Sequence, residues 1–239
     1  MSATRGPRRH FHPSEAVPAR WQSNGAAASP DPEALRAALA DVRTPVVLVQ
    51  TADGPAVAKG GSVSWGDTDG LAVLAVLPAM HPSSLGDPAF CADHGLRFPY
   101  VTGGMANGIA SAELVEAIGS AGMLGFFGAA GLSLDRIETA ILQVKQTLGD
   151  RPFGFNLIHS PAEQAIESGT VDLYLRHGVQ LAEASAYFDL TPHVVRYRLI
   201  GIRRAEDGRV VTPNRLVAKV SRVEVASKFF APAPEKIIR

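Results

Sequence analysis

The chain has a single cysteine, Cys91, among 239 residues. That excludes an internal disulfide framework and a metal site built from several thiolates, and it suits a reducing cytoplasm. Net charge is missing too, because 23 Lys and Arg residues balance 23 Asp and Glu residues. With no overall field, neither nucleic acid nor an anionic membrane surface is expected as a partner. Long hydrophobic runs are also absent. Leu71 to Met80 is short and ends near Pro82, so nothing reaches the roughly 18 apolar residues of a membrane span. Arg8-Arg9-His10-Phe11 has the look of a twin-arginine export signal, but polar and proline-broken residues follow it instead of an apolar stretch. A cytoplasmic protein without a metal site is the expectation.

What is present supports a folded core, since 46% of the residues are hydrophobic and the length allows one large domain or two small ones. Residues 1–31, with Arg5, Arg8, Arg9, Arg20 and several prolines, read as a disordered tail. Residues 32–80 read as a small β-rich module: a helix from Pro32 to Asp41, strands Pro45 to Gln50 and Pro55 to Ala58 around the hairpin signal Asp53-Gly54, and a strand Leu71 to Leu77. A loop through Pro82, Pro88 and Pro99 leads to residues 81–239.

There one device repeats. Phe98 to Thr102 is an apolar run ending in Gly103-Gly104-Met105-Ala106-Asn107-Gly108, and Ser111 then caps a helix carrying Leu114, Val115 and Ile118 on one face. Gly122 to Ala130 is a second run, followed by a helix from Ser133 with Leu134, Ile137, Ile141, Val144 and Leu148 at helical spacing. The text continues with strand Pro152 to Ile158, an amphipathic segment Pro161 to His177, strand Val179 to Ala186 and a helix opened by Thr191-Pro192. Asp207-Gly208 turns a hairpin insertion, Leu216 to Val220 forms a fifth strand, and Ser221-Arg222-Val223-Glu224 reads as a capping box for a fifth helix. Strand-length apolar runs alternating with helical periods predict a parallel sheet covered by helices. A β/α barrel and an open doubly wound sheet both satisfy that pattern.

The glycines admit two readings. Gly125 to Gly131 resembles a dinucleotide fingerprint only loosely, with the wrong spacing and no acidic residue about 20 positions later. Gly119, Gly122 and Gly149 read as packing positions, whereas Gly103 and Gly104 read as room for a ligand.

FPYVTGGMANG at Phe98 to Gly108, GMLGFFGAAG at Gly122 to Gly131 and PFGFNLIHSP at Pro152 to Pro161 resemble the flavin-dependent nitronate monooxygenase and enoyl reductase superfamily. Further segments narrow the resemblance: Gly86-Asp87, Phe90-Cys91, His94 to Arg97, Leu190-Thr191-Pro192, Val195 to Arg198 and Ala218 to Arg222 are similar to the trans-acting enoyl reductases of polyunsaturated fatty acid and polyketide synthases. The resemblance extends from about Leu77 to Glu235. It implies an FMN enzyme on an eight-unit β/α barrel, the cofactor lying at the carboxyl-terminal face of the sheet, where such barrels place their sites. It further implies reduction by NADPH or NADH of enoyl thioesters on an acyl carrier protein. Nitronate oxidation by dioxygen, and a non-catalytic docking module or fragment, are the alternatives.

By the same resemblance Gly103, Gly104, Met105, Ala106 and Asn107 lie against the flavin ring, and Asn156 contacts it with a carboxamide able both to donate and to accept. His159, just beyond Asn156, is a candidate for the substrate pocket facing the same mouth. Glu183, Ser185 and Tyr187 alternate along a strand end, share one side of it, and are candidates for the same pocket. Lys219, within an apolar run, needs a partner or a polar cavity. The family's catalytic histidine and its phosphate-binding loops follow later units, beyond Arg239, so no catalytic residue is assigned. An unfinished barrel with open strand edges would be expected to form a homo-oligomer or to recruit a complementing C-terminal segment.

Overall fold

The computed structural model describes residues 18–66 and 68–238. The Arg8-Arg9-His10-Phe11 segment lies outside them. The chain divides into one unit running to His81 and a second from Pro82 onward.

In the first unit, strands β1 (Ala19–Gln22), β2 (Val46–Thr51), β3 (Gly54–Ala58), β4 (Ser62–Trp65) and β5 (Leu71–Leu77) form an antiparallel sheet in the order β3-β2-β5-β1-β4. Asp53-Gly54 turns the β2–β3 hairpin as expected, with Thr51 opposite Gly54 and Gly54 at φ 110°. Alternation divides the strands between two small cores. Val47, Val49, Ala56 and Ala58 pack with Trp21, while Val46, Leu48 and Val57 meet Ala34, Leu35 and Ala38 of helix α1 (Pro32–Ala40). The Asp31 carboxylate caps that helix by accepting from the Glu33 amide at 3.0 Å.

The expected tail is corrected here for residues 18–31. Ala19–Gln22 forms an interior strand between β5 and β4, and Trp21 is buried with its indole Nε1–H donating to the Gly60 carbonyl at 2.8 Å. Only four residues long and with one large apolar side chain, this strand is specified by its partners rather than by its own pattern.

The second unit carries a parallel sheet of β6 (Val101–Thr102), β7 (Leu124–Phe127), β8 (Gly154–Ile158), β9 (Leu181–Ser185) and β12 (Arg215–Ala218), in the order β12-β9-β8-β7-β6. Helices α3 (Ala112–Ser120), α4 (Leu134–Leu148), α5 (Gln164–His177), α6 (Pro192–Leu199) and α7 (Val223–Phe230) follow these strands in turn, and α8 (Glu235–Ile238) comes last. This is a parallel half-barrel of five β/α units, part of a TIM barrel. The short strands β10 (Arg203–Arg204) and β11 (Val210–Val211) form the inserted hairpin before β12.

Alternation along each strand decides which side chains face helices and which face the concave side. Phe127, Phe155, Leu157, Ala182 and Ala184 pack outward on Val115, Ile137, Ile141, Val144, Tyr174 and Tyr197. Ile137, Ile141, Val144 and Leu148 of α4 are essentially fully buried, and each such residue contributes about 1.5–3 kcal/mol by leaving water. Inward, Leu124, Phe126, Leu181 and Val217 meet Phe90, Cys91 and Leu96. Phe90 and Cys91 belong to α2 (Pro88–His94), so the segment expected to be a loop is partly helical, capped by Asp87 at its start and by Gly95 at φ 66° at its end.

Two further expectations are corrected. Phe98 to Thr102 yields only the two-residue strand β6, because Pro99 lacks an N–H and the Tyr100 N–H turns back to the Phe98 carbonyl at 2.8 Å. The capping box at Ser221 does not form either. Arg222 is the N-cap of α7, without a side-chain cap bond, and its guanidinium pairs with Glu224 at 3.2 Å. No helix among the described residues is long and apolar enough to cross a membrane.

Candidate functional site

The carboxyl ends of the parallel strands bring residues from four β/α units together. Asn156 of β8 and Glu183 of β9 are register partners, and both are buried. The Asn156 Nδ2 donates to the Glu183 carbonyl at 3.1 Å, to Glu183 Oε2 at 3.3 Å and to the Ser185 hydroxyl. The Gly104 N–H, from the loop after β6, donates to the same Oε2 at 2.8 Å. Lys219, just past β12, places Nζ 3.3 Å from Oε2 and donates to the Gly104 carbonyl at 3.4 Å. One carboxylate oxygen thus gathers an amide, a carboxamide and an ammonium.

Burying that carboxylate is tolerable because each donor meets it and Lys219 supplies the opposite charge. The lysine side chain is 45% exposed while that of Glu183 is 4% exposed, so the pair is screened from one side only. The partner that Lys219 required is therefore Glu183.

This arrangement also explains Gly103 and Gly104. A Cβ at Gly103 would come 2.9 Å from Glu183 Oε1, and one at Gly104 would come 2.8 Å from Asn156 Cβ and 2.9 Å from Glu183 Oε2. The room left by the missing side chains is filled by the protein's own carboxylate. In the next run, by contrast, glycine serves contact between loops. A Cβ at Gly128 would overlap the Met105 carbonyl, and the two loops are tied by Asn107 N–H to Ala130 O at 2.7 Å and Gly108 N–H to Gly128 O at 3.0 Å. Gly119 fits the packing reading, since a Cβ there would meet Leu148 at 2.7 Å.

Of the ten residues singled out by sequence, Gly103, Gly104, Asn156, Glu183 and Ser185 meet in this cluster. Met105 and Ala106 are exposed on the loop beside it. Asn107, at φ 57°, turns toward the β7–α4 loop, where its side chain lies against Gly131. His159 and Tyr187 belong to a second cluster.

The second cluster is built on Glu167, a residue absent from the candidates named by sequence. Its buried carboxylate accepts from the Tyr187 hydroxyl at 3.1 Å and from the Thr191 hydroxyl, and lies 3.0 Å from His159 Nδ1. The His159 ring stacks on Tyr187 with centroids 5.2 Å apart and planes at 25°. Burial, reinforced by the neighbouring Glu167 charge, pushes the Tyr187 phenol well above its ordinary range. A signal for Glu167 existed: it precedes Val171 and Tyr174 at spacings of four and seven on the buried stripe of α5, where a carboxylate requires partners.

A cavity of about 250 Å³ adjoins both clusters, with Asn156, Ile158, Ser160 and Glu167 in its wall. A larger groove of about 780 Å³ lies among the helix-to-strand turns at the opposite end of the sheet, lined by His94, Lys145 and Arg215. Ligand chemistry in β/α barrels belongs to the strand-to-helix loops, so the smaller cavity is the one at the candidate site.

The sequence profile of a family described as nitronate monooxygenase matches residues 90–236. The chain is 39% identical over 216 residues to a polyunsaturated fatty acid synthase subunit of Thraustochytrium sp., covering 90% of this chain and 14% of that protein. It is 45% identical over 157 residues to polyketide biosynthesis protein PksE of Bacillus subtilis, covering 65% of this chain and 20% of that protein. Among solved structures, the enoyl reductase domain of MlnA from the macrolactin biosynthesis cluster of Bacillus amyloliquefaciens superposes with a TM-score of 0.63 at 43% identity, over 65% of this chain and 36% of that one. The chain spans about a fifth or less of the length of these curated relatives.

Proposed function

The chain belongs to the nitronate monooxygenase family, and from that premise we propose that it forms the flavin-facing part of an FMN-dependent enoyl reductase. The substrate would be an enoyl thioester held on an acyl carrier protein during polyunsaturated fatty acid or polyketide assembly. The observation that carries this reading is the convergence of Gly104 N–H, Asn156 Nδ2 and Lys219 Nζ at the carboxyl ends of the parallel strands.

The chemistry of that donor set fits a flavin. The ring edge presents carbonyl oxygens beside an N–H, so it needs several donors and an acceptor. Lys219 would supply a donor, since its ammonium has three protons and meets two acceptors in the folded chain, Glu183 Oε2 and the Gly104 carbonyl. Asn156 would supply the acceptor, because both Nδ2 hydrogens are taken up by Glu183 and Ser185 while its Oδ1 takes no bond from the described residues. Glu183 holds the three donors in place and Ser185 fixes the carboxamide's orientation. When bound, FMN would supply hydride transfer, drawn from NADPH or NADH. The chain's own contribution is to orient the ring edge and to place a positive charge beside it through Lys219.

The enoyl substrate is supported by the solved relative's description as an enoyl reductase domain. The carrier-protein partner is supported by the synthase and polyketide names of the sequence relatives. The test is direct. Purified protein titrated with FMN should acquire a bound flavin spectrum, and anaerobic NADPH should bleach it until crotonyl-pantetheine restores the colour. Turnover of a nitronate with dioxygen and no response to NADPH would replace this reading with nitronate oxidation. Failure to take up flavin at all would favour the non-catalytic docking module or fragment over both.

A further inference from the structure

His159 and Glu167 form a pair that the flavin-edge cluster does not use. Glu167 is four residues into α5, with its side chain 1% exposed, while the His159 side chain is 20% exposed on the loop after β8. Three groups hold the carboxylate: His159 Nδ1, the Tyr187 hydroxyl and the Thr191 hydroxyl. Tyr187 is itself packed edge-on to Phe229, at 5.9 Å between centroids, so the platform under the imidazole is fixed from behind.

A carboxylate is a costly choice for so buried a position if its role is only to join loops. A glutamine oxygen could accept the same hydroxyl bonds without the penalty of burying charge. What the charge adds is specific to histidine. A carboxylate on Nδ1 selects the ring's tautomer and orientation, leaves Nε2 for another partner, and opposes the positive charge of the doubly protonated ring. His159 and Tyr187 are the titratable groups facing Glu167 in this cluster, and His159 alone of these can become a cation.

His159 lies three residues past Asn156, at the strand-to-helix end where the proposed chemistry occurs, and its neighbours Ile158 and Ser160 stand with Asn156 and Glu167 in the wall of the cavity of about 250 Å³. Strand alternation directs Asn156 to the concave side and the 159 side chain to the rim behind it. A group at the rim suits the part of a ligand that enters from above, not the flavin. Resting on the enoyl-thioester reading, we propose that His159 takes up a second proton from solvent, on Nε2, as the ligand binds and donates it as a hydrogen bond to the thioester carbonyl oxygen, and that Glu167, which keeps the Nδ1 proton facing it, is its positioning residue.

The experiment uses the full chain labelled with ¹⁵N-histidine and crotonyl-pantetheine as the probe. Long-range proton–nitrogen spectra should show His159 Nδ1 carrying the proton before the probe is added and both ring nitrogens moving toward the protonated pattern on binding. His159→Ala should weaken probe binding three- to tenfold, the loss of one hydrogen bond. Glu167→Gln should change the His159 tautomer and weaken binding less, while circular dichroism shows the fold retained. His159→Asn, which keeps a donor, guards against a folding defect in the alanine variant, and the spectra of the unmutated chain need no variant at all. Should the probe bind while the His159 resonances stay still, or bind His159→Ala as tightly as the parent, the inference fails and the enoyl-thioester reading stands. Should the parent chain not bind the probe, that reading falls and takes this inference with it.

Discussion

Replacing Gly104 by alanine tests the packing of the candidate site without touching a functional group. The new Cβ would sit 2.8 Å from Asn156 Cβ, 2.9 Å from Glu183 Oε2 and 3.3 Å from the Phe127 carbonyl. Two of those neighbours are fixed in strands β7 and β8, and the third is held by Asn156 and Lys219. Gly104 lies outside the left-handed region, so no backbone strain contributes and the whole effect is steric. Overpacking of this kind costs about 1–3 kcal/mol. Pushing the carboxylate away also weakens the Gly104 N–H bond to a charged acceptor, which contributes about 1.5–3 kcal/mol. Allowing for partial relaxation, about 3 kcal/mol is expected, or a melting temperature lower by about 6–12 °C for a chain of this size. Far-ultraviolet circular dichroism reads it, because α3 to α7 lie in the second unit. Trp21 and Trp65, the two tryptophans of the chain, report the first unit separately. Adding Glu183→Ala should recover part of the loss, giving a double variant less unstable than the sum of the singles. A Gly104→Ala melt within about one degree of the parent would show that the carboxylate swings aside freely, and the description of a packed floor would be wrong.

Thr191→Ala removes the α6 cap bond from Val194 N–H at 3.2 Å and a donor to buried Glu167, for a loss of about 2 kcal/mol in urea unfolding. Ser111→Ala removes only a cap, accepting from Leu114 N–H at 3.3 Å, and should cost about 1 kcal/mol; the reverse order would contradict the role given to Glu167. Lys219→Met strips Glu183 of its counter-charge and should destabilise by about 1–2 kcal/mol, discounted because half the lysine is in water, with rescue by a second change, Glu183→Gln. Without that rescue, charge is not what couples the two positions. Burial raises the phenols of Tyr174, Tyr187 and Tyr197 above the ordinary tyrosine range, so they contribute stability that is present below the unfolded tyrosine pKa and lost as pH rises beyond it. In an alkaline titration their ultraviolet ionisation signal should appear together with loss of helix; ionisation in the intact fold would refute their burial.

Much of the fold was legible because its signals are local. The α4 stripe of Ile137, Ile141, Val144 and Leu148, the turn at Asp53-Gly54 and the cap at Thr191-Pro192 each specify structure within a few residues. The misses share one cause: the deciding partner is distant. Ala19–Gln22 is a strand because Ser62–Trp65 and Leu71 pair with it, and α2 is apolar on one side because Leu124, Phe126 and Leu181 are there to receive Phe90 and Cys91. Asp87-Pro88 and Gly95 did mark the ends of α2, but seven residues hold too little periodicity to argue a helix between them.

The site was legible by residue type and illegible by pairing. Asn156 and Glu183 stand out as polar groups in apolar strands, yet that they are register partners follows only from the alignment of β8 with β9, which a shift of one residue would reverse. Gly104 and Glu183 are 79 positions apart. Glycines 103 and 104 show why this matters for function. A missing Cβ records that something occupies its space, and the sequence cannot distinguish a bound ligand from a buried side chain, because both need the same room. Here a side chain fills it, and that side chain ends in oxygens that take an amide, a carboxamide and an ammonium. The Gly104 N–H and the Asn156 Nδ2 hydrogens are spent within the chain, whereas the Lys219 ammonium has a third proton and the Asn156 Oδ1 takes no bond from the described residues. The glycine pair therefore records the packing of Glu183, and the proposed ligand contacts rest on the lysine and the carboxamide oxygen beside it.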